Sequence, residues 1–217
     1  GWTPPPRRVK MSPRQIKLCR DALDSLKAPK SASTGSAPST KGLRSRSVLR
    51  HRPSPPARIQ GLGPLSNVRS QLPATRHRAE VLEALRSPVS IIEGDTGSGK
   101  TTQVAQFLLE EAAKSGEHIR VACTQPRHIS AISVAERIAE ERGEPVGKRG
   151  AVGYAVRNQA CVDRDNNLLV CTVGVLLRIM EDDPALVAYD VVIVDEVHER
   201  SIENDLLLLA LRRLLVA

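Results

Sequence analysis

The sequence predicts an α/β domain in three layers, a mostly parallel sheet with helices on both faces. Three observations carry this expectation. From Leu72 onward, short β-branched runs alternate with helix-periodic segments of about 10–15 residues, the pattern of successive βαβ units. Val191–Val194 is wholly apolar, as a strand buried on both faces must be. A glycine-rich turn, Gly94 to Gly99, separates the first strand signal from the helix after it, a junction that needs tight backbone curvature.

The elements follow in order. Ala74–Arg86 has helical periodicity and stops at Ser87-Pro88, because proline cannot continue a helix. Val89–Glu93 reads as a strand, and Lys100–Lys114 as the helix beyond the glycine turn. Ile119–Thr124 is a second strand and Ile129–Arg142 a second helix. Gly153–Val156 and Leu168–Thr172 read as strands, with Val173–Met180 helical. Val191–Val194 is the last strand and Asn204–Leu215 the last helix.

Charge divides the chain. Residues 1–70 hold 15 Lys and Arg against Asp21 and Asp24 alone, whereas residues 71–217 carry 17 basic and 22 acidic residues. The overall charge of +8 therefore belongs to the N-terminal segment and not to the fold. Eleven of the 15 prolines lie in residues 1–73, with a Ser/Thr/Gly/Ala/Lys stretch from Lys27 to Gly42. Such a segment buries too little to offset its ordering entropy, so residues 1–70 read as a disordered basic tail, with one short amphipathic helix at Gln15–Leu26. It reads as a solvated linker or an accessory anchor for phosphates, and its Arg/Ser-rich, acid-poor start is similar to an organelle transit peptide. Residues 71–217 form the folded domain. Cys19, Cys123, Cys161 and Cys171 lack zinc-ligand spacing and suit a reducing compartment. No apolar run approaches the roughly 18 residues of a membrane span. Four aromatics, Trp2, Phe107, Tyr154 and Tyr189, are too few for a base-stacking surface.

Gly94-Asp-Thr-Gly-Ser-Gly-Lys-Thr101 matches GxxxxGK[ST] between a strand and a helix, the context this phosphate-binding loop requires. Glycines let successive N–H groups converge on phosphate oxygens, and the helix start adds its positive dipole end. Lys100 reaches the β and γ phosphates and the Thr101 hydroxyl ligates Mg²⁺. A cradle alone would serve a kinase or a switch equally. The discriminating partner is Val191-Val-Ile-Val-Asp-Glu-Val-His198, a strand ending in carboxylates where a parallel sheet presents its carboxyl edge. Asp195 is placed to hold Mg²⁺ through water and Glu196 to act as general base toward the attacking water, which points to ATP hydrolysis.

Five ordered segments make this pattern specific: Gly94 to Gln103, Thr124-Gln-Pro-Arg-His-Ile-Ser-Ala131, Val152-Gly-Tyr-Ala-Val-Arg157, Cys171-Thr-Val-Gly-Val-Leu-Leu-Arg178 and Asp195-Glu-Val-His-Glu-Arg200. In this order and spacing they resemble the first RecA-like domain of the DEAH/RHA group of superfamily 2 RNA helicases, over about Leu72–Leu215. The resemblance implies a P-loop RecA-like fold and ATP-driven movement along single-stranded RNA in proteins of the cytoplasm or nucleus. It implies phosphate and Mg²⁺ contacts from Gly94, Thr96, Gly97, Ser98, Gly99, Lys100, Thr101 and Thr102, with Mg²⁺ shared among Thr101, Asp195 and Glu196. Arg137 occupies the position that stacks on the nucleotide base, a use suited to a planar guanidinium. Arg127, Thr172, Gly174 and Arg178 match contacts to the RNA backbone, and His198 a link from the nucleotide site to a second RecA-like domain.

Read singly, Arg127 and Arg178 are ordinary solvated charges, Arg137 a helix-surface arginine and His198 a structural histidine. The chain also departs from the family pattern. His128 stands where a second arginine is usual, Ala155-Val156 replace Gln-Ile, and Val173 replaces a small or polar residue. The Ser-Ala-Thr strand, the second RecA-like domain and its phosphate-stabilising arginines would lie beyond Ala217. On that expectation, residues 1–217 alone bind ATP–Mg weakly and turn it over very slowly. A non-catalytic RNA- or partner-binding module and a DNA-acting helicase are the competing readings. A signalling GTPase fits poorly, since no Asn-Lys-x-Asp occurs.

Overall fold

A computed structural model describes residues 65–216; the tail and its Gln15–Leu26 helix lie outside the described residues. Residues 65–199 and residues 200–216 belong to separate compact units and are taken in turn.

The larger unit opens with three short helices, α1 (Ser66–Gln71), α2 (Pro73–Arg76) and α3 (Arg78–Ala84). The single helix expected at Ala74–Arg86 is thus interrupted at His77, whose φ of −98° and ψ of 16° leave the helical region. Then come α4 (Lys100–Ser115), β1 (Val121–Gln125), α5 (His128–Arg142), β2 (Val152–Val156), β3 (Gln159–Cys161), β4 (Leu168–Thr172), α6 (Val173–Asp182) and β5 (Val191–Val194). A 3₁₀ turn at Val197–Glu199 follows β5.

The five strands form one sheet in the order β3-β2-β4-β1-β5. β1 pairs in parallel with β4 and β5, and β4 with β2. β3 runs antiparallel to β2 across a tight turn in which Asn158 takes a φ of 67°. Every residue of β1 and β2 is buried, so both faces of the sheet are covered at its centre. β5, expected as a strand buried on both faces, lies at the edge of the described sheet and is half-buried at all four positions. One alternate set of strand residues, Val121, Cys123, Val152, Tyr154, Leu168 and Val170, packs with Ala105 and Leu109 of α4 and Ala131, Ala135 and Ile138 of α5. Helix α6, with Val173, Leu176 and Met180 buried, packs on β4 and β1.

Two expectations need correction. Val89–Glu93 is not a strand: the segment joins no ladder, and Val89 and Ile91 are exposed. β5 pairs only with β1 among the described residues, so no ladder reaches this segment, and β-branched composition alone does not make a strand. β3 was not foreseen, because a three-residue edge strand with two exposed positions carries almost no period-two signal.

The smaller unit is α7 (Ile202–Leu214), capped by the Ser201 hydroxyl, which accepts from the Asn204 N–H. Glu203 and Asp205 in its first turn and Arg212 and Arg213 in its last complement the helix dipole. Arg200 clasps Asp205 with two hydrogen bonds of 3.0 Å and holds that carboxyl below its ordinary range. No described helix is long and apolar enough to cross a membrane.

Burial also governs the thiols. It pushes the Cys171 thiol up to about 12, and it raises Cys123 further with help from the nearby Asp195 charge. Burial therefore favours the neutral thiol at both positions. We expect iodoacetamide at pH 8 to label the half-buried Cys161 long before Cys123 or Cys171, as peptide mass mapping would report. Equal labelling of all three in native protein would contradict this packing.

Candidate active site

The parallel pairing brings three strand ends to one edge. In register, Gln125 of β1 faces Thr172 of β4, and Thr124 faces Val194 of β5. Asp195, the first residue past β5, therefore emerges beside Gln125, whose amide donates to Asp195 Oδ2 at 2.7 Å. Thr101, in the first turn of α4, donates its hydroxyl to the same oxygen at 2.6 Å. Asp195 Oδ1 accepts the backbone N–H of Glu196 at 2.9 Å. Two sequence segments 94 positions apart thus meet at one carboxylate.

The loop before α4 is shaped by its glycines. Gly97 has a φ of +80° with open space where a side chain would project. Gly99, the N-cap of α4, has a φ of +91°, and a Cβ there would lie 3.0 Å from Leu72 Cδ1. A residue larger than glycine at position 99 would be strained and crowded at once. Thr96 and Gly97 are exposed at the crest of the loop. Lys100 Nζ turns back onto it, donating to Gly94 O, to Asp95 O at 2.9 Å and to Ser98 Oγ at 3.4 Å. Thr102 Oγ1 donates to Gly99 O over a long 3.4 Å.

Glu196 adopts a φ of +52°, an unfavourable conformation for a residue with a side chain and the kind of local strain that gathers at functional sites. The Glu199 N–H, donating to Glu196 O at 3.0 Å, closes the turn that holds it. His198 Nε2 sits 3.2 Å from Glu196 Oε2, and both side chains are accessible.

Arg137 lies on α5, tied through Nε to Glu141 Oε1 at 2.9 Å. Arg127, the N-cap of α5, is exposed and pairs loosely with Glu199 at 3.3 Å. Thr172, the N-cap of α6, is buried, whereas Gly174 and Arg178 are exposed one turn apart on that helix. The structure thus brings Thr101, Asp195, Glu196 and His198 into one chain of contacts, with Lys100 turned instead onto the phosphate loop. It leaves Arg127, Gly174 and Arg178 exposed, the first two at the helix starts that follow β1 and β4. Sequence reasoning missed Gln125, Glu199 and Glu141 as partners. Parallel pairing of β1 with β5 could have pointed to Gln125, and the i, i+4 spacing to Glu141.

The residues fit a magnesium–nucleotide. Gly97 leaves the loop open to a phosphate, and the Thr101 hydroxyl stands against a carboxylate. No cluster of three or more His, Cys, Asp or Glu suited to a metal occurs among the described residues. Mg²⁺ is typically held by one or two protein ligands together with substrate phosphates, and Thr101 beside Asp195 is such a pair.

A phosphate loop joined to an acidic strand end at the carboxyl edge of a parallel sheet defines a P-loop nucleotide-binding domain. Residues 75–213 match the model of the DEAD/DEAH box helicase family, and the chain belongs to that family. It is 46% identical over 154 residues to the DExH-box ATP-dependent RNA helicase DExH1 of Arabidopsis thaliana, covering 70% of this chain and 15% of that protein. It is 51% identical over 148 residues to the putative ATP-dependent RNA helicase DHX57 of Homo sapiens, covering 66% and 10%. To the human ATP-dependent DNA/RNA helicase DHX36 it is 39% identical over 155 residues, covering 70% and 15%. The chain therefore matches only a small part of the length of these relatives.

Proposed function

We propose that residues 71–217 are the first motor domain of an ATP-dependent RNA helicase, binding ATP–Mg and single-stranded RNA. The observation that carries the reading is the junction of Thr101 with Asp195, which puts the phosphate loop and the acidic strand end on one site. Lys100 binds the β and γ phosphates, with the N–H groups of residues 94–102 around them and Arg137 against the base. Thr101, Asp195 and Glu196 would hold Mg²⁺, and the ion would supply neutralising charge to the phosphates. Glu196 accepts a proton from the water attacking the γ-phosphorus, and ADP and phosphate leave. His198, in contact with Glu196, carries the state of that carboxylate toward a second RecA-like domain.

Gly174, Arg178 and Arg127 offer one helix-borne backbone N–H and two guanidinium groups to the phosphates of an RNA strand, and Thr172, at the same turn as Gly174, completes the backbone contacts. Arg127 must exchange Glu199 for a phosphate, and an exposed pair at 3.3 Å yields readily. The reading carries with it action in the cytoplasm or nucleus. It also divides labour. Arginines supplied from outside a phosphate site contribute on the order of 10³–10⁵ in rate in related enzymes. Residues 1–217 alone therefore bind ATP but turn it over at a small fraction of the full-length rate.

The test is steady-state ATPase activity of the full-length protein with no nucleic acid, with single-stranded RNA and with single-stranded DNA of the same sequence, beside residues 1–217. We expect RNA to stimulate the full-length protein more than DNA, and the shorter chain to respond to neither. An unchanged rate with RNA would sink the motor reading. Equal stimulation by DNA would remove the RNA preference, and vigorous RNA-stimulated turnover by residues 1–217 would sink the division of labour.

A further inference from the structure

We infer that Glu141 is a positioning residue for the nucleotide base, holding Arg137 in place and tying it to the phosphate loop; this rests on the reading of Arg137 as the base contact. Glu141 stands near the end of α5 and its side chain is 2% exposed. A carboxylate so deep must be satisfied on both oxygens, and it is. Oε1 accepts from Arg137 Nε at 2.9 Å, while Oε2 accepts from the amides of Gln103 and Gln106, each at 2.7 Å.

The donors are themselves committed. The Gln103 amide also donates to Thr102 Oγ1 at 2.8 Å, and its carbonyl accepts from Arg69 at 2.5 Å. Gln106 donates its second proton to Thr102 O at 2.9 Å. A continuous path of hydrogen bonds thus runs from Gly99 O through Thr102, Gln103 and Glu141 to Arg137. It joins the phosphate end of the proposed nucleotide site to its base end through the half-buried Thr102 and the buried side chains of Gln103 and Glu141.

Arg137 has few other holds. Its side chain is 41% exposed, and its remaining ion pair, with Glu140, is a loose 3.8 Å. A long cationic side chain on a helix surface otherwise samples many rotamers, and each must be lost when it stacks on a base. Glu141 removes much of that freedom before nucleotide arrives. Glutamine at 141 keeps the shape but has one acceptor oxygen for three donors. If that oxygen keeps the two glutamines, an NH₂ group faces Arg137 Nε and releases it. If it keeps Arg137, the two glutamines face a donor.

The experiment is titration calorimetry of residues 1–217 with Mg–ATP and with Mg–tripolyphosphate, which has no base. Arg137→Ala is expected to weaken ATP about 3- to 30-fold, the range of a cation over an aromatic face, and to leave tripolyphosphate within about twofold. Glu141→Gln is expected to reproduce both results, and the double variant to add less than about twofold. Glu141→Asp, which restores two acceptor oxygens one methylene back, is expected to fall between Glu141→Gln and the unaltered chain. Unaltered ATP affinity in Glu141→Gln, with loss in Arg137→Ala, overturns the positioning role and leaves the base contact standing. Equal weakening of ATP and tripolyphosphate by Glu141→Gln also overturns it, since that marks a general packing defect. ATP affinity unmoved by Arg137→Ala overturns the base contact itself, and the positioning role with it.

Discussion

Replacing Glu196 with glutamine in the full-length protein is expected to slow ATP turnover by about 10²–10⁴ while leaving ATP affinity within about twofold. The two side chains share size and reach, so the contact near His198 Nε2 keeps an oxygen acceptor. The bond that fixes the backbone, from the Glu196 N–H to Asp195 Oδ1, does not involve the exchanged atoms. The strained φ of +52° is imposed by the turn through Glu199 and is indifferent to the exchange. The amide keeps an oxygen to face Mg²⁺, with Thr101 and Asp195 unaltered, but it lacks the charge and basicity needed to accept a proton from water. The loss should therefore appear in kcat and in single-turnover rates, with KM nearly unmoved, the mark of an interaction made only in the transition state. Full turnover in Glu196→Gln would place the base elsewhere.

The position of Asp195 and Glu196 was legible in the sequence, because a fully apolar strand ending in Asp-Glu must come out at the carboxyl edge of a parallel sheet. The phosphate loop was readable for a similar reason. Gly97 and Gly99 take the positive φ angles that a tight turn into a helix demands, and the motif places glycine at both. The pairing of Thr101 with Asp195 was implied by two motifs but needed the register of β1 and β5 to become a distance.

Other features left no such trace. Val89–Glu93 has strand composition yet lies beside no ladder, and one sequence cannot say which edge is available to a segment. β3 is too short to show a period. Glu141 looks like any acid on a charged helix, alongside Glu136 and Glu140. Its burial follows from α4 crossing α5 so that Gln103 and Gln106 close over it, and that is a fact of packing. Arg127 and Arg178 were legible as residues and not as a surface, because exposure depends on which helix faces are covered.

Lys100→Ala is the second large effect, and it falls on binding. It is expected to weaken ATP by about 10- to 150-fold, the equivalent of about 1.5–3 kcal/mol for hydrogen bonds to a charged group. Lys100 Nζ is already fully committed, to Gly94 O, Asp95 O and Ser98 Oγ. A phosphate entering the loop must therefore draw the ammonium away from neutral oxygens. It can do so because an anionic phosphate oxygen attracts the ammonium as an opposite charge, which the neutral carbonyl and hydroxyl oxygens of the loop do not. Removing the ammonium takes away that exchange but leaves the two carbonyls and the hydroxyl within reach of water, so folding should suffer by less than about 1 kcal/mol. Lys100→Arg should not restore affinity, since a planar fork replaces a compact point charge in a loop built around the latter. Titration calorimetry with Mg–ATP and Mg–tripolyphosphate separates this role from that of Arg137. Loss of Lys100 should weaken both ligands in parallel, whereas loss of Arg137 should weaken only the one that carries a base. Undiminished tripolyphosphate binding in Lys100→Ala would mean that the backbone N–H groups hold the phosphates without it.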